Sequence, residues 1–163
     1  HDLSFGRLNN TLSGTYITDS EYTRPGTDSD WISSLGRFGD DDAVVFRTTA
    51  QFVSTLKTGD FDNSVTIRYR SGYADQENYV REGSITGEDK LIQLAVPSYT
   101  TVNFQSQYTI IDDLKLSFGI NNLFDVAPPL SLRSSGAGHQ VGYDPRYTDS
   151  LGRTFYVSVD YKF

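Results

Sequence analysis

The eleven residues from Arg153 to Phe163, Arg-Thr-Phe-Tyr-Val-Ser-Val-Asp-Tyr-Lys-Phe, alternate without a break. Phe155, Val157, Val159, Tyr161 and Phe163 share one parity, and Thr154, Tyr156, Ser158, Asp160 and Lys162 share the other. Successive side chains of a strand point to opposite faces, so this pattern commits the segment to β structure with one apolar and one polar face. About ten residues at the usual tilt also span the hydrocarbon core of a bilayer. A strand of this kind can meet lipid on one side and a polar interior on the other. A water-facing strand of a soluble sheet alternates in the same way, so the rest of the chain has to decide between them.

Composition narrows the choice. The chain has 163 residues, 37% of them apolar, and no run approaches the length of about 18 apolar residues that a membrane helix needs. Contact with a membrane would have to be made by strands. The formal charge of −7 argues against a general nucleic-acid binder, which needs a basic stripe to neutralise phosphates. The absence of cysteine excludes a disulfide scaffold or a thiolate metal site and leaves the compartment open. The chain starts at His1 and contains no methionine, and the expectation is of a piece left by maturation or truncation, with no signal peptide to read.

Strand-like segments are expected near 5–18, 44–57, 61–73, 99–110, 113–123 and 153–163. Thr58-Gly59-Asp60 alone separates the second from the third, and Ile111-Asp112 the fourth from the fifth, both with tight-turn chemistry. The connections 19–43, 74–98 and 124–152 are long and rich in Gly, Pro, Asp, Ser and Tyr. Short turns alternating with long loops match the two rims of a transmembrane barrel, with the long loops outside the cell.

Charge follows the same division. The apolar parities read Leu8, Asn10, Leu12, Gly14, Tyr16; Phe46, Thr48, Ala50, Phe52, Ser54, Leu56; Val65, Ile67, Tyr69, Ser71, Tyr73; Val102, Phe104, Ser106, Tyr108; Leu114, Leu116, Phe118, Ile120; and the Phe155 row, with no charge among them. Arg7, Arg47, Arg68, Arg70, Lys115, Asp160 and Lys162 take the opposite parities. A charge at mid-bilayer on a lipid face costs on the order of 2–4 kcal/mol, so membrane strands require this separation. A soluble sandwich with one wet face also segregates charge, although the Thr, Ser, Asn and Gln of the polar parity (Thr101, Asn103, Gln105, Gln107) suit a wet or plugged lumen.

The stretch Leu-Ser-Phe-Gly-Ile-Asn-Asn-Leu-Phe-Asp at 116–125, then Pro128-Pro129, Gly142-Tyr143-Asp144-Pro145-Arg146 and Leu151-Gly152-Arg153-Thr154-Phe155-Tyr156, closing on Tyr161-Lys162-Phe163, resembles the C-terminal end of TonB-dependent outer-membrane receptors. Val96-Pro97-Ser98-Tyr99-Thr100-Thr101-Val102 and Arg68-Tyr-Arg-Ser-Gly-Tyr73 are similar to preceding strands of that family, so the resemblance covers essentially the whole chain. It implies an all-β fold in which residues 1–163 supply six antiparallel strands of the C-terminal part of a large transmembrane barrel. The implied role is the wall and outer loops of an active importer in the outer membrane of a Gram-negative bacterium, carrying a scarce nutrient such as a siderophore, vitamin or saccharide. Such transporters have about 22 strands around a plug. The implied partners are outer-membrane lipid, the remaining strands and plug, the barrel-assembly machinery, the inner-membrane TonB energy-coupling complex acting through an N-terminal part outside this sequence, and a small-molecule ligand. No cofactor, enzymatic activity or nucleic acid is implied. The final row, Phe155, Val157, Val159, Tyr161 and Phe163, resembles the family's assembly signal.

Several residues have both a ligand reading and a structural one. Arg68 and Arg70 share a strand face and suit an anionic ligand, or pair with plug or neighbouring-strand carboxylates. Asn121 and Asn122 could touch ligand, or satisfy backbone groups where a strand enters its loop. Tyr22, Trp31, Tyr79, Tyr143 and Tyr147 could gather ligand on the outer loops, or sit at the membrane interface. Asp40-Asp41-Asp42, Glu88-Asp89 and the lone His139 lack metal-site spacing, and Asp112-Asp113 reads as a turn. Nucleophile motifs and phosphate loops are missing from the sequence. A passive porin-like channel fragment, a barrel enzyme and a soluble β-rich binding module are the alternatives.

Overall fold

The structure is a computed structural model that describes residues 1–23, 26, 30–39, 43–81, 89–132 and 142–163. Those residues contain strands and turns and no helix. In chain order the strands are β1 (Asp2–Leu3), β2 (Gly6–Tyr16), β3 (Glu21–Tyr22), β4 (Ile32–Ser33), β5 (Thr48–Thr58), β6 (Phe61–Arg70), β7 (Tyr73–Ala74), β8 (Asn78–Arg81), β9 (Asp89–Ile92), β10 (Ala95–Val96), β11 (Tyr99–Ile111), β12 (Leu114–Asn121) and β13 (Thr154–Tyr161). Seven of them form one antiparallel sheet in the order β1-β2-β5-β6-β11-β12-β13. The sheet does not close on itself, and β13 and β1 are its two edges.

Two-residue turns join the sheet at one end. Thr58 pairs with Phe61 around Gly59-Asp60, and Gly59 takes φ +57, a left-handed value that a residue with a Cβ adopts only with strain. Ile111 pairs with Leu114 around Asp112-Asp113, after a register irregularity between Thr109 and Ile111. A third turn, Ser4-Phe5, links β1 to β2 at the same end, and this hairpin is not among the expected strands because a two-residue strand shows no period. The opposite end carries all the long connections, from which the pairs β3·β4, β7·β10 and β8·β9 form.

The register keeps one set of rungs free of charge. One continuous rung runs Leu8, Leu56, Asn63, Ser106, Phe118, Val157, and another runs Leu12, Phe52, Ile67, Val102. The intervening rungs of the other face are polar: Ser13, Gln51, Arg68, Thr101, and then Asn9, Thr55, Ser64, Gln105. Every charged residue of the long strands, namely Arg7, Lys57, Asp62, Arg68, Arg70, Lys115 and Asp160, lies on the polar face. Lys57 and Asp62 face one another at 3.9 Å, and Lys115 is opposite Asp160.

Among the described residues, nothing forms a second layer over the apolar face. Leu12 is 76% exposed and Val157 68%, whereas the buried apolar side chains among the described residues, Val44, Tyr73 and Val96, all lie in the loops. Aromatic rings collect at the turn end of that face, with Phe61 4.7 Å from Tyr108 and Tyr161 5.2 Å from Phe163 between ring centroids.

Phe46, Ser71 and Tyr73, all expected to face outward, belong elsewhere. Strand pairing begins at Thr48 and ends at Arg70, so Phe46 and Tyr73 leave the ladder and pack edge-on at 5.7 Å in the loop layer. Burying two large rings against other loops is what draws residues 44–47 and 71–73 away from the period-two pattern.

On the polar face, the Tyr156 ring lies across Gly119, and its hydroxyl donates to Gln105 Oε1 at 3.3 Å. A methyl group at Gly119 would collide with that ring. Gly119→Ala should therefore destabilise the folded protein by about 1–3 kcal/mol, as overpacking does. Tyr156→Ala should remove most of that penalty, so the double-mutant cycle measured by denaturant unfolding is strongly non-additive; additive losses would show that the ring does not cover Gly119.

Candidate functional site

The polar face and the loops above it enclose a concavity of about 770 Å³, a volume within the range of small-molecule sites. Its floor is built by β2, β5, β6 and β11 through Ser13, Gln51, Arg68, Thr101 and Asn103, and its side by Asn121 and Thr154. Its upper wall is the segment Tyr147, Thr148, Asp149, so the last long connection turns in over the sheet. Arg68, Arg70 and Asn121 all line it.

The two arginines differ in what holds them. Arg70 donates to the Tyr147 carbonyl, and its guanidinium sits 4.9 Å from the centre of the Phe46 ring and 5.7 Å from that of Tyr147. Arg68 is exposed and donates from Nε to Gln51 Oε1 at 3.2 Å. Asn121 donates to Thr154 Oγ1 at 3.4 Å across the β12–β13 pair.

Tyr147 is the hub of the loop layer. Its hydroxyl accepts the Val44 N–H at 2.8 Å, its ring meets Phe46 edge-on at 4.9 Å, and Arg146 stacks over it at 5.1 Å. Arg146 is held in turn by a fork to Asp144, with Nε 3.0 Å from Oδ1 and a terminal nitrogen 2.6 Å from Oδ2. Asp144 is 2% exposed, and pairing with a bidentate guanidinium is what makes a buried carboxylate tolerable. A second buried carboxylate, Asp75, accepts from the Ser131 hydroxyl at 3.1 Å and the Leu132 N–H at 2.6 Å. It ties the connection after β6 to the one after β12.

The Asn-Leu-Phe-Asp element is a local knot. Asn122 takes φ 49; its side-chain oxygen accepts the Val126 N–H at 3.0 Å and its amide donates to the Val126 carbonyl at 2.9 Å. Asp125 accepts the Arg153 N–H at 2.8 Å, and Gly152, at φ +66, leaves room where a Cβ would stand 2.7 Å from that carboxylate. Asn122 and Asp125 thus clip the entry of the last strand to the exit of the one before it, which is the backbone role for Asn122.

The loop aromatics do not gather into one surface. Trp31 and Tyr79 are 68% and 74% exposed, Tyr143 donates to Ser150 Oγ at 2.9 Å, Tyr22 lies in β3, and Tyr147 is committed to the loop layer. Asp40, Asp41, Asp42, Glu88 and His139 lie outside the described residues. Asp75, Asp144 and Arg146 are not among the site residues expected from the sequence. The Asp-Pro-Arg spacing of 144–146 does carry a local signal for the fork, since the turn places Arg146 back over Asp144. Nothing near Asp75 in sequence points to Ser131.

Burial in this layer also moves a titration. Desolvation pushes the Tyr73 phenol up from 10.0 to about 12; a hydrogen bond with Ser131 pulls the other way, and the nearby Asp75 and Asp144 carboxylates add to the rise. The neutral phenol therefore contributes stability that is intact below pH 10 and is lost as pH climbs through about 12. Tyr73→Phe should lack this alkaline loss, so the wild type should lose stability relative to the variant over that interval in unfolding measured against pH; parallel curves would contradict it. No protein family model, curated protein or solved structure matches this chain.

Proposed function

We propose that residues 1–163 are the C-terminal part of an outer-membrane barrel of the TonB-dependent receptor type, serving as wall and outer loops of an active importer. One observation carries the membrane part of this reading. Six long strands are paired so that every charge falls on one face, while the other face is uncharged, exposed and without a layer of described residues over it. A soluble sandwich buries that face against a second sheet. Hydrocarbon supplies the missing layer here, and aromatic rings at the turn end match an interfacial girdle. The open edges fit a sheet completed by further strands, since an unpaired edge within lipid costs several kcal/mol per group. The resemblance of 116–125 and 142–163 to the receptor family supports the importer part, with the polar concavity as the route or binding face. The energy-coupling partner, the plug and the transported ligand belong to this proposal.

Two experiments test it. Arginine at Val159 should cost on the order of 2–4 kcal/mol against lipid, whereas arginine at Ser158, exposed on the polar face, should be tolerated. Ser117 is unsuitable as the polar-face control because it is 3% exposed beneath Gln107, which donates to it at 3.1 Å. The yield of heat-modifiable protein in the outer membrane should fall for Val159→Arg and hold for Ser158→Arg; equal yields would reject the lipid-facing assignment.

The terminal row provides the second. Strand addition lets backbone bonds supply affinity while alternate side chains enter apolar sites, and Phe163, the terminal residue, is fully exposed. Deleting Phe163, or replacing it with Asp, should slow assembly in pulse-chase labelling and leave unfolded protein in the periplasm, with ligand binding intact in the molecules that do insert. Assembly at the wild-type rate would reduce the row to plain lipid-facing wall.

A further inference from the structure

Among the described residues, the polar concavity contains one cation, Arg68, that is only partly engaged. Arg68 spends its Nε on Gln51, and its two terminal nitrogens have no partner among the described residues. Arg70, two residues away, is by contrast held by the Tyr147 carbonyl and two rings. The neighbouring strands offer Arg68 no carboxylate. Asp62 is beside Lys57 and six positions along β6, roughly 20 Å at the rise of a strand, and Asp160 is opposite Lys115 at the same far end. Asp149, the one carboxylate among the described residues that line the concavity, accepts the Leu151 N–H at 2.8 Å in its own turn.

Around Arg68 the lining is neutral and rich in hydrogen-bonding groups. Ser13, Gln51 and Thr101 share its rung, and Asn103, Asn121 and Thr154 stand alongside. Hydroxyls and amides both donate and accept, which matches the dual character of sugar hydroxyls. A guanidinium with two free nitrogens presents a planar fork to a carboxylate. We propose that this face binds a polyhydroxylated ligand through one carboxylate, a sugar acid being the class, with Arg68 as the carboxylate clamp. This deepens the importer reading above and rests on it.

The test uses the complete receptor purified from outer membranes in detergent, with digalacturonate, its neutral methyl ester and the hydroxyl-free dicarboxylate glutarate as calorimetric probes. Digalacturonate should bind at least about tenfold more tightly than either of the others, the order of one charge-assisted bidentate contact. Arg68→Ala should abolish the preference for the acid over the ester, and Arg68→Lys, which keeps the charge without the fork, should restore only part of it. Equal binding of acid and ester, no binding of digalacturonate, or a preference that survives Arg68→Ala would overturn the assignment. If Arg68→Ala lowers the melting temperature of the ligand-free receptor and leaves the preference in place, Arg68 is a wall contact and the assignment also fails. A heat-modifiable outer-membrane protein that fails these tests leaves the barrel reading standing; a chain that stays soluble removes both.

Discussion

Antiparallel pairing from Gly6 to Tyr161, in a frame that shifts once beside the β11–β12 turn, is the constraint on which the other features depend. Side chains alternate with period two, so moving any strand by one residue would carry its charges onto the apolar face. Two-residue turns at Gly59-Asp60 and Asp112-Asp113 leave little freedom for such a slip. Where the frame does shift, between Thr109 and Ile111, it does so beside a turn, beyond the rungs that carry Leu12 or Phe118.

The molecule places its buried side chains where a soluble sheet protein would place its surface. Val44, Tyr73 and Val96 pack under Phe38, Phe46 and Tyr147 in the loops, while the sheet keeps its large apolar residues outermost. The loop layer has the order of a small core because its polar groups are satisfied: Asp144 by Arg146, Asp75 by Ser131 and Leu132, and the Val44 N–H by Tyr147. An unsatisfied buried carboxylate would cost more than a lost hydrogen bond between neutral groups. The long connections are therefore built against the sheet, and the concavity beneath Tyr147 has a definite upper wall.

Arg68 and Arg70 show how much separates two residues of one type, one face and one strand. Sequence offers them as equals. The return of residues 144–148 over β6 gives Arg70 the carbonyl and ring of Tyr147, and Phe46 adds a second ring, while Arg68 is left with an amide oxygen. Asn121 and Asn122 divide in a similar way, the first reaching across to Thr154 and the second closed on Val126.

By itself the sequence determined what depends on local period and turn chemistry: the long strands to within a few residues, the tight turns, the two faces and the absence of charge from one of them. The strand from Thr48 to Thr58 and its neighbour from Phe61 were legible because alternation and a glycine turn are written in consecutive residues. The fates of Phe46 and Tyr73 were not, because an aromatic residue next to a strand has the same alternating pattern whether it faces outward or turns into a loop core. Tyr147, Asp75 and Asp144 became central through partners 103, 56 and 2 positions away, respectively. Tertiary structure alone decided the first two, because the free energy that fixes them comes from satisfying buried polar groups across the chain, and no local pattern encodes that.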